Sequence, residues 1–233
     1  MSGPRAARYA LYFAPPAHHP LWTAGCDWLG RDPESGATSD AGAHRRDPRR
    51  YGFHATLKPP FALRDGATRS QLFAALSHFV DEQPPFAMPA LAVAMLGDFI
   101  ALRPGDRDAT APGLPLRALA DDCVRLFDEF RRPPSAEETA RRQGADLDAA
   151  HRANLQRWGY PHVFGHWRFH MTLTDSLARD AEGERVRARL LAEAQHHFGA
   201  ALAEPLRCDG VALFVEDAPG ADFRLLRRFD FAR

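Results

Sequence analysis

Lysine is all but missing from this chain: of 30 basic side chains, every one is arginine except Lys58. Cysteine is scarce too. Cys26, Cys123 and Cys208 are odd in number, far apart and in no C-x-x-C pair, which argues against a disulfide framework and a zinc site. They are expected as small buried hydrophobes. No apolar run approaches the roughly 20 residues needed to span a bilayer. Arg5 and Arg8 precede a short apolar run from Tyr9 to Pro16 that leads into a strand pattern without a long leader-type segment, so a cytoplasmic protein away from membranes is expected. An excess of charge of one sign is absent, with 30 basic and 30 acidic residues. Without a global basic field no long nucleic acid is expected as partner, whereas a small anion needs only a local cluster. The motifs G-x-x-x-x-G-K-S/T, G-x-S-x-G and G-x-G-x-x-G are missing, which leaves nucleotide-triphosphate, serine-hydrolase and dinucleotide chemistry without support.

What is present is one short phrase written twice. Phe53-His54-Ala55-Thr56-Leu57 and Phe169-His170-Met171-Thr172-Leu173 lie half a chain apart. A chance second copy of F-H-x-T-L is expected in roughly one chain of this length in several hundred, so an internal repeat is the first reading. At 233 residues the chain is long enough for two small halves fused around a shared core. The surroundings repeat as well. Arg8 to Pro15 reads as a strand, Pro20 to Leu29 as a short helix, and Gly30 to Arg50 as a loop. Tyr51 to Phe61 alternates as a strand; Thr68 to Glu82 has helical spacing at Leu72, Phe73, Leu76, Phe79 and Val80 and ends at Pro84-Pro85. Two strands follow, Phe86 to Leu96 and Phe99 to Arg103, joined at Gly97-Asp98. The second half repeats the order: strand Trp167 to Leu177, a helix within Gly183 to Leu202, then strands Leu206 to Glu216 and Phe223 to Phe231 around Ala218-Pro219-Gly220. Leu114 to Gly159 breaks the pattern with about three helical stretches. It is read as the leading helix of the second half plus a helical insertion, about 133–160, that packs or covers a cleft.

Strand alternation sorts the repeated residues by face. Gly52, His54, Thr56 and Lys58 share one face, opposite Phe53, Ala55 and Leu57. Arg168, His170, Thr172 and Thr174 share another, opposite Phe169, Met171 and Leu173. Two such fronts facing each other give two imidazoles, two or three hydroxyls, an ammonium and a guanidinium: an anion site with a matched acid and base. Lys58 suits a point-charge contact to a phosphate oxygen. Tyr9, Tyr12, Tyr51, Tyr160 and Phe61 read first as core rings, with stacking on a base as the alternative. His166 and His170 have the spacing of H-E-x-x-H helices, but Trp167 follows where the Glu would stand and the alternation argues a strand, so no metal is expected. His18-His19, His78, His151, His162 and His196-His197 show no ligand pattern and read as surface or packing residues.

The two H-x-T motifs resemble the signature of the 2H phosphoesterase superfamily. The wider phrases Arg50 to Phe61 and Arg168 to Thr174 are similar to its branch associated with bacterial phosphonate-utilisation operons, as are Arg8 to Pro15 and the segment around Phe130 to Arg142. Gly30 to Arg50 and Val163 to Trp167 fall outside the match. The resemblance implies an α+β, bilobal, pseudo-twofold fold with two antiparallel sheets lining a central cleft and helices outside. It further implies one domain over 1–233, with lobes at about 1–112 and 113–233. It also implies cofactor-free cleavage of a small cyclic phosphodiester, with His54, Thr56, His170 and Thr172 catalytic. Lys58, Arg168, Thr174, Tyr12 and Tyr160 are the substrate-binding candidates. The phosphonate branch implies a phosphorylated ribose 1,2-cyclic phosphate as substrate; a 2′,3′-cyclic phosphate on RNA or a nucleotide, and a non-catalytic phosphate-ligand module, are the alternatives. Neither histidine is assigned to acid or base.

Overall fold

A computed structural model describes residues 7–106, 110–135 and 147–232. Strand β1 (Arg8–Phe13) is buried along nearly its whole length, which is why it reads as a continuous apolar run rather than an alternation. Helix α1 (Pro20–Leu29) starts with Pro20 in its first turn and His19 as cap, and stops at left-handed Gly30, as proline and glycine preferences require. A short helix α2 (Arg46–Tyr51) leads into β2 (Ala55–Ala62). Helix α3 (Arg69–Asp81) opens with a capping box between Thr68 and Gln71, which satisfies two otherwise unpaired backbone donors. Then come β3 (Phe86–Ala87), β4 (Leu91–Leu96) and β5 (Phe99–Pro104). The expected strand Phe86 to Leu96 is split because Pro89 has no N–H to donate to a ladder.

The second half comprises α4 (Pro115–Leu126), a 3-10 turn at Asp128–Phe130, α5 (Ala149–Trp158), a 3-10 turn at Phe164–His166, β6 (Met171–Thr172), α6 (Ala181–Ala203), β7 (Arg207–Cys208), β8 (Gly210–Glu216) and β9 (Arg224–Asp230). Asp180 caps α6 by accepting from Gly183 N at 2.8 Å. Only glycine fits there, since a Cβ would stand 2.0 Å from Ala178 O. The Ala/Arg/Glu-rich part of the expected insertion, 136–146, lies outside the described residues. No helix among the described residues is long and apolar enough to cross a membrane.

The strands form one seven-stranded sheet, ordered β4-β5-β6-β2-β1-β8-β9, and a two-stranded β3-β7 ribbon. Every pairing is antiparallel. The α+β class with antiparallel sheets is as expected, and the strands that line the cleft all belong to the larger sheet. The reason is the pairing of β2 with β6 through Ala55 and Met171, which joins the strands that follow the two histidines. The halves are interleaved: β6 sits between β5 and β2, and β8-β9 extends from β1. Helix α3 packs on β9 and α6 on β4, so each long helix covers the hairpin of the other half.

Behind this sheet the predicted apolar backs are buried, Phe53, Ala55, Leu57, Phe169, Met171 and Leu173 being at most 2% exposed. All three cysteines are free and buried, as expected, and burial pushes the Cys26 thiol up to about 12. Two expectations need correction. Gly30 to Arg50 is not all loop, because Asp175 reaches across from the other half and accepts from Arg46 N (3.2 Å) and Asp47 N (2.7 Å), starting α2. Trp167 to Leu177 is strand only at Met171–Thr172. On one side the Trp167 indole donates to Thr56 O (2.8 Å) where a backbone rung would stand, and on the other Thr174 Oγ1 takes Ile100 N (3.0 Å).

Candidate active site

Each catalytic candidate stands one residue before its strand, His54 ahead of β2 and His170 ahead of β6. The pairing of Ala55 with Met171 then dictates the rest. In an antiparallel pair, continuing the register by one residue sets His54 across from Thr172 and Thr56 across from His170, all on one face. Register thus puts the four side chains at the corners of a square, and all four line one cavity at the seam of the two halves.

Both imidazoles are tethered alike. His54 Nδ1 lies 2.8 Å from Gly52 O, and His170 Nδ1 lies 2.9 Å from Arg168 O, so each ring is held by the carbonyl two residues back. A carbonyl only accepts, so Nδ1 carries the proton in both rings and Nε2 is the atom left for chemistry. Thr56 Oγ1 is 3.3 Å from His54 Nε2. The first tether depends on Gly52, whose φ of +79° suits glycine and whose Cβ would stand 2.8 Å from Pro33. Tyr12 stacks on His54 with ring centroids 3.6 Å apart and planes 20° from parallel. Phe99, which sequence reasoning missed, lies 5.8 Å from His170.

Burial acts on both rings. Burial pushes His54 down to about 4; the bond to Gly52 opposes this, and the charge of His170 adds to it. Burial also lowers His170, against its bond to Arg168. In both rings a low-dielectric setting disfavours the imidazolium.

The square opens into a cavity of about 360 Å³ whose walls include Tyr12, Tyr51, His54, Thr56, Phe99, Tyr160, His170, Thr172 and Thr174. Seven of the nine site candidates are therefore brought together; Lys58 and Arg168 are not. Lys58 is 1% exposed and points the other way, its Nζ donating to Val124 O (3.2 Å) and lying 3.5 Å from Asp128. The reason is a break in register: Tyr12 pairs with Thr56 but Leu11 with Lys58, so Leu57 is an extra residue and the alternation flips after it. Arg168 is exposed and lines a separate 50 Å³ hollow with Arg103 and Asp106. Arg168 lies three residues before the Ala55–Met171 pair on backbone that is not strand, too far for the register to carry back to it, and it serves the site through its carbonyl.

Among the described residues no arginine or lysine lines this cavity. Next to it is a 720 Å³ cavity lined by His44, Arg45, Arg46, Arg49 and Arg50 of α2 and its lead-in, and Asp47 lines both. Asp47, Asp175 and Ser176 reach the histidine cavity only because α2 is docked there across the chain, and nothing local in the sequence marks them. Among the described residues, the one trio of side chains placed to hold a metal is Asp148, His151 and His166, not the His166/His170 pair weighed from spacing.

The family described as "Protein of unknown function (DUF1045)" matches residues 56–224. A ribose 1,5-bisphosphate phosphokinase PhnN of Janthinobacterium sp. (strain Marseille) is 37% identical over 243 residues, covering 100% of this chain and 52% of that protein. Its namesake in Laribacter hongkongensis (strain HLHK9) is 38% identical over 230 residues, covering 94% and 51%. The chain thus spans about half the length of the curated relatives it matches. Among solved structures, E. coli LigT complexed with 3′-AMP aligns with 98% of this chain and 100% of its own at 16% identity and a TM-score of 0.41. Kluyveromyces marxianus Usb1 aligns with 96% and 99% at 10% identity and a TM-score of 0.35. Both likenesses are too remote to carry weight. The family match, which covers well over half the sequence and takes in Thr56, His170 and Thr172, makes the chain a member of the DUF1045 family.

Proposed function

We propose that this protein is a 2H phosphoesterase, a metal-independent hydrolase of a small cyclic phosphodiester working in the cytoplasm. The observation that carries the reading is the square of His54, Thr172, Thr56 and His170 with its matched Nδ1 tethers, opening on one cavity. His54, held neutral, is the general base: its Nε2 takes a proton from water as the oxygen attacks phosphorus. His170, protonated when the anionic substrate favours its charged form, donates from Nε2 to the departing sugar oxygen. One P–O bond forms, the ring P–O bond breaks, and a phosphomonoester remains. Thr56 and Thr172 hydroxyls donate to the non-bridging oxygens and hold phosphorus between the imidazoles.

A phosphorylated ribose 1,2-cyclic phosphate is the substrate we favour. Two observations support it: the relatives' names place those proteins on ribose 1,5-bisphosphate, and the arginine-lined cavity beside the site suits a second phosphate. The relatives' phosphokinase activity is not assigned to this chain, which matches half of their length and has no G-x-x-x-x-G-K-S/T motif. The aromatic wall of Tyr51, Phe99 and Tyr160 favours a second reading, a nucleoside 2′,3′-cyclic phosphate stacked by its base. A cavity this small fits either but not a long polymer.

The test is a phosphate-release and mass-shift assay on ribose 1,2-cyclic phosphates with and without a 5-phosphate, 2′,3′-cyclic nucleotides and a cyclic-ended oligonucleotide. Cleavage of the 5-phosphorylated ribose compound with the highest kcat/KM is expected. His54→Ala and His170→Ala should each lose on the order of 10²- to 10⁴-fold in kcat. Turnover of no member of the panel would overturn the proposal, and ligand binding that survives without turnover would identify a sensor instead.

A further inference from the structure

Outside the cavity, α5 and the turn Phe164–His166 bring together three ligand-type side chains that lie apart in sequence. One ligand atom from each of Asp148, His151 and His166 lies within 4.8 Å of the other two. The His151 and His166 rings have centroids 3.8 Å apart. The helix cap brings Asp148 and His151 together, whereas His166 arrives from a separate turn and completes the trio. His151 Nδ1 lies buried 2.9 Å from Asp148 Oδ1, an ion pair when the ring is protonated and two facing lone pairs when Nδ1 carries no proton. With both imidazoles neutral, the three groups turn lone pairs toward one point, as a shared cation requires.

We propose that Asp148, His151 and His166 bind a divalent transition metal of the zinc class, with a fourth position open to water. Two imidazoles and a carboxylate are a donor set that zinc accepts in tetrahedral geometry, whereas calcium and magnesium prefer all-oxygen sites. Bond lengths of about 2.0–2.2 Å require the trio to draw slightly closer. Asp148 permits this, its side chain being 61% exposed. The same Asp148 already caps α5, accepting from His151 N at 2.8 Å, so the metal would fix the first turn of α5 to the 164–166 turn. Between these anchors the chain carries Tyr160, on the wall of the histidine cavity, and His162, whose ring lies 5.1 Å from His151 and 5.6 Å from Tyr160. The ion would brace that wall and take no part in the chemistry at His54 and His170.

Zinc titration by calorimetry, with metal content after dialysis, tests this on the full chain. One equivalent bound and a higher thermal midpoint are expected. His151→Ala and His166→Ala should lose that equivalent while matching the metal-free wild type in circular dichroism. If either fails to fold, Asp148→Asn decides, because asparagine keeps the cap but removes the anionic ligand. It should weaken zinc by more than the roughly 10- to 100-fold that loss of an outer-shell partner costs. A His18→Ala/His78→Ala double variant should keep the equivalent. No binding by the wild type, or binding unchanged in His166→Ala or Asp148→Asn, would overturn the site. His54→Ala should bind zinc as the wild type does, so failure here is distinct from failure of the phosphoesterase reading.

Discussion

His54 and Lys58 are four residues apart; the first is half-buried at the cavity and the second fully buried, and desolvation serves them differently. For His54, Tyr12 and the surrounding wall exclude water and hold the ring neutral with its Nε2 free, as a base needs. Nuclear magnetic resonance of the free protein should find His54 unprotonated down to about pH 4. Tyr12→Ala should raise that value toward the ordinary 6.5 and cost about 3 kcal/mol of stability from the lost ring. The sign of the linkage follows. As pH falls below 6.5 the unfolded chain takes up the proton first, so this group lowers stability progressively from pH 6.5 to about 4 and adds no pH dependence above that window. For Lys58, burial lowers the amine to about 8 despite Asp128, and no reacting group is near it. Asp128 keeps Arg131 at 2.7 Å and Arg157 at 3.2 Å when the lysine is gone. Lys58→Met should therefore leave kcat/KM unchanged, with the stability lost by removing one partner of a buried pair limited by the two arginines that keep Asp128 paired. A large loss of activity would return Lys58 to the site.

At the scale of elements, the site depends on supports that come from far along the chain. Helix α2 is too short to persist alone and owes its start to Asp175 of the other half. It holds Tyr51 at the cavity wall and the arginines beside it. Asp175→Ala should cost about 1 kcal/mol in denaturant unfolding, the usual worth of a lost cap, and raise KM while sparing the histidine tethers. Arg46→Ala should raise KM for a doubly phosphorylated substrate and not for one with a single cyclic phosphate. Equal effects on the two would remove the second-phosphate role from this helix.

For the whole molecule, interleaving is the governing fact. Strand β6 is paired on both sides by first-half strands, and β8-β9 attaches through β1. Neither half contains a complete sheet, and each long helix rests on the hairpin of the other. Denaturation should be one cooperative transition, coincident by fluorescence and circular dichroism. A fragment ending near residue 112 should remain unfolded when expressed alone, leaving β2 and β5 without the strand between them. An independently folded fragment would contradict this account.

Local periodicity was enough to read the repeat, the order of strands and helices, the apolar backs of both histidine strands, the buried cysteines and the four residues of the square. Each of those depends on residues within a few positions of one another. Lys58 and Arg168 could not be placed that way, because an extra residue at Leu57 turns Lys58 to the opposite face and the backbone before His170 is irregular. The larger sheet, the cap on α2, the Trp167 bond to Thr56 and the Asp148, His151 and His166 cluster all join parts of the chain far apart or on different elements. Their geometry exists only once the sheet has closed. The sequence thus determined which side chains are candidates for the chemistry; tertiary structure decided which of them face one another, because register and packing are set by long-range pairing and not by neighbours in the chain.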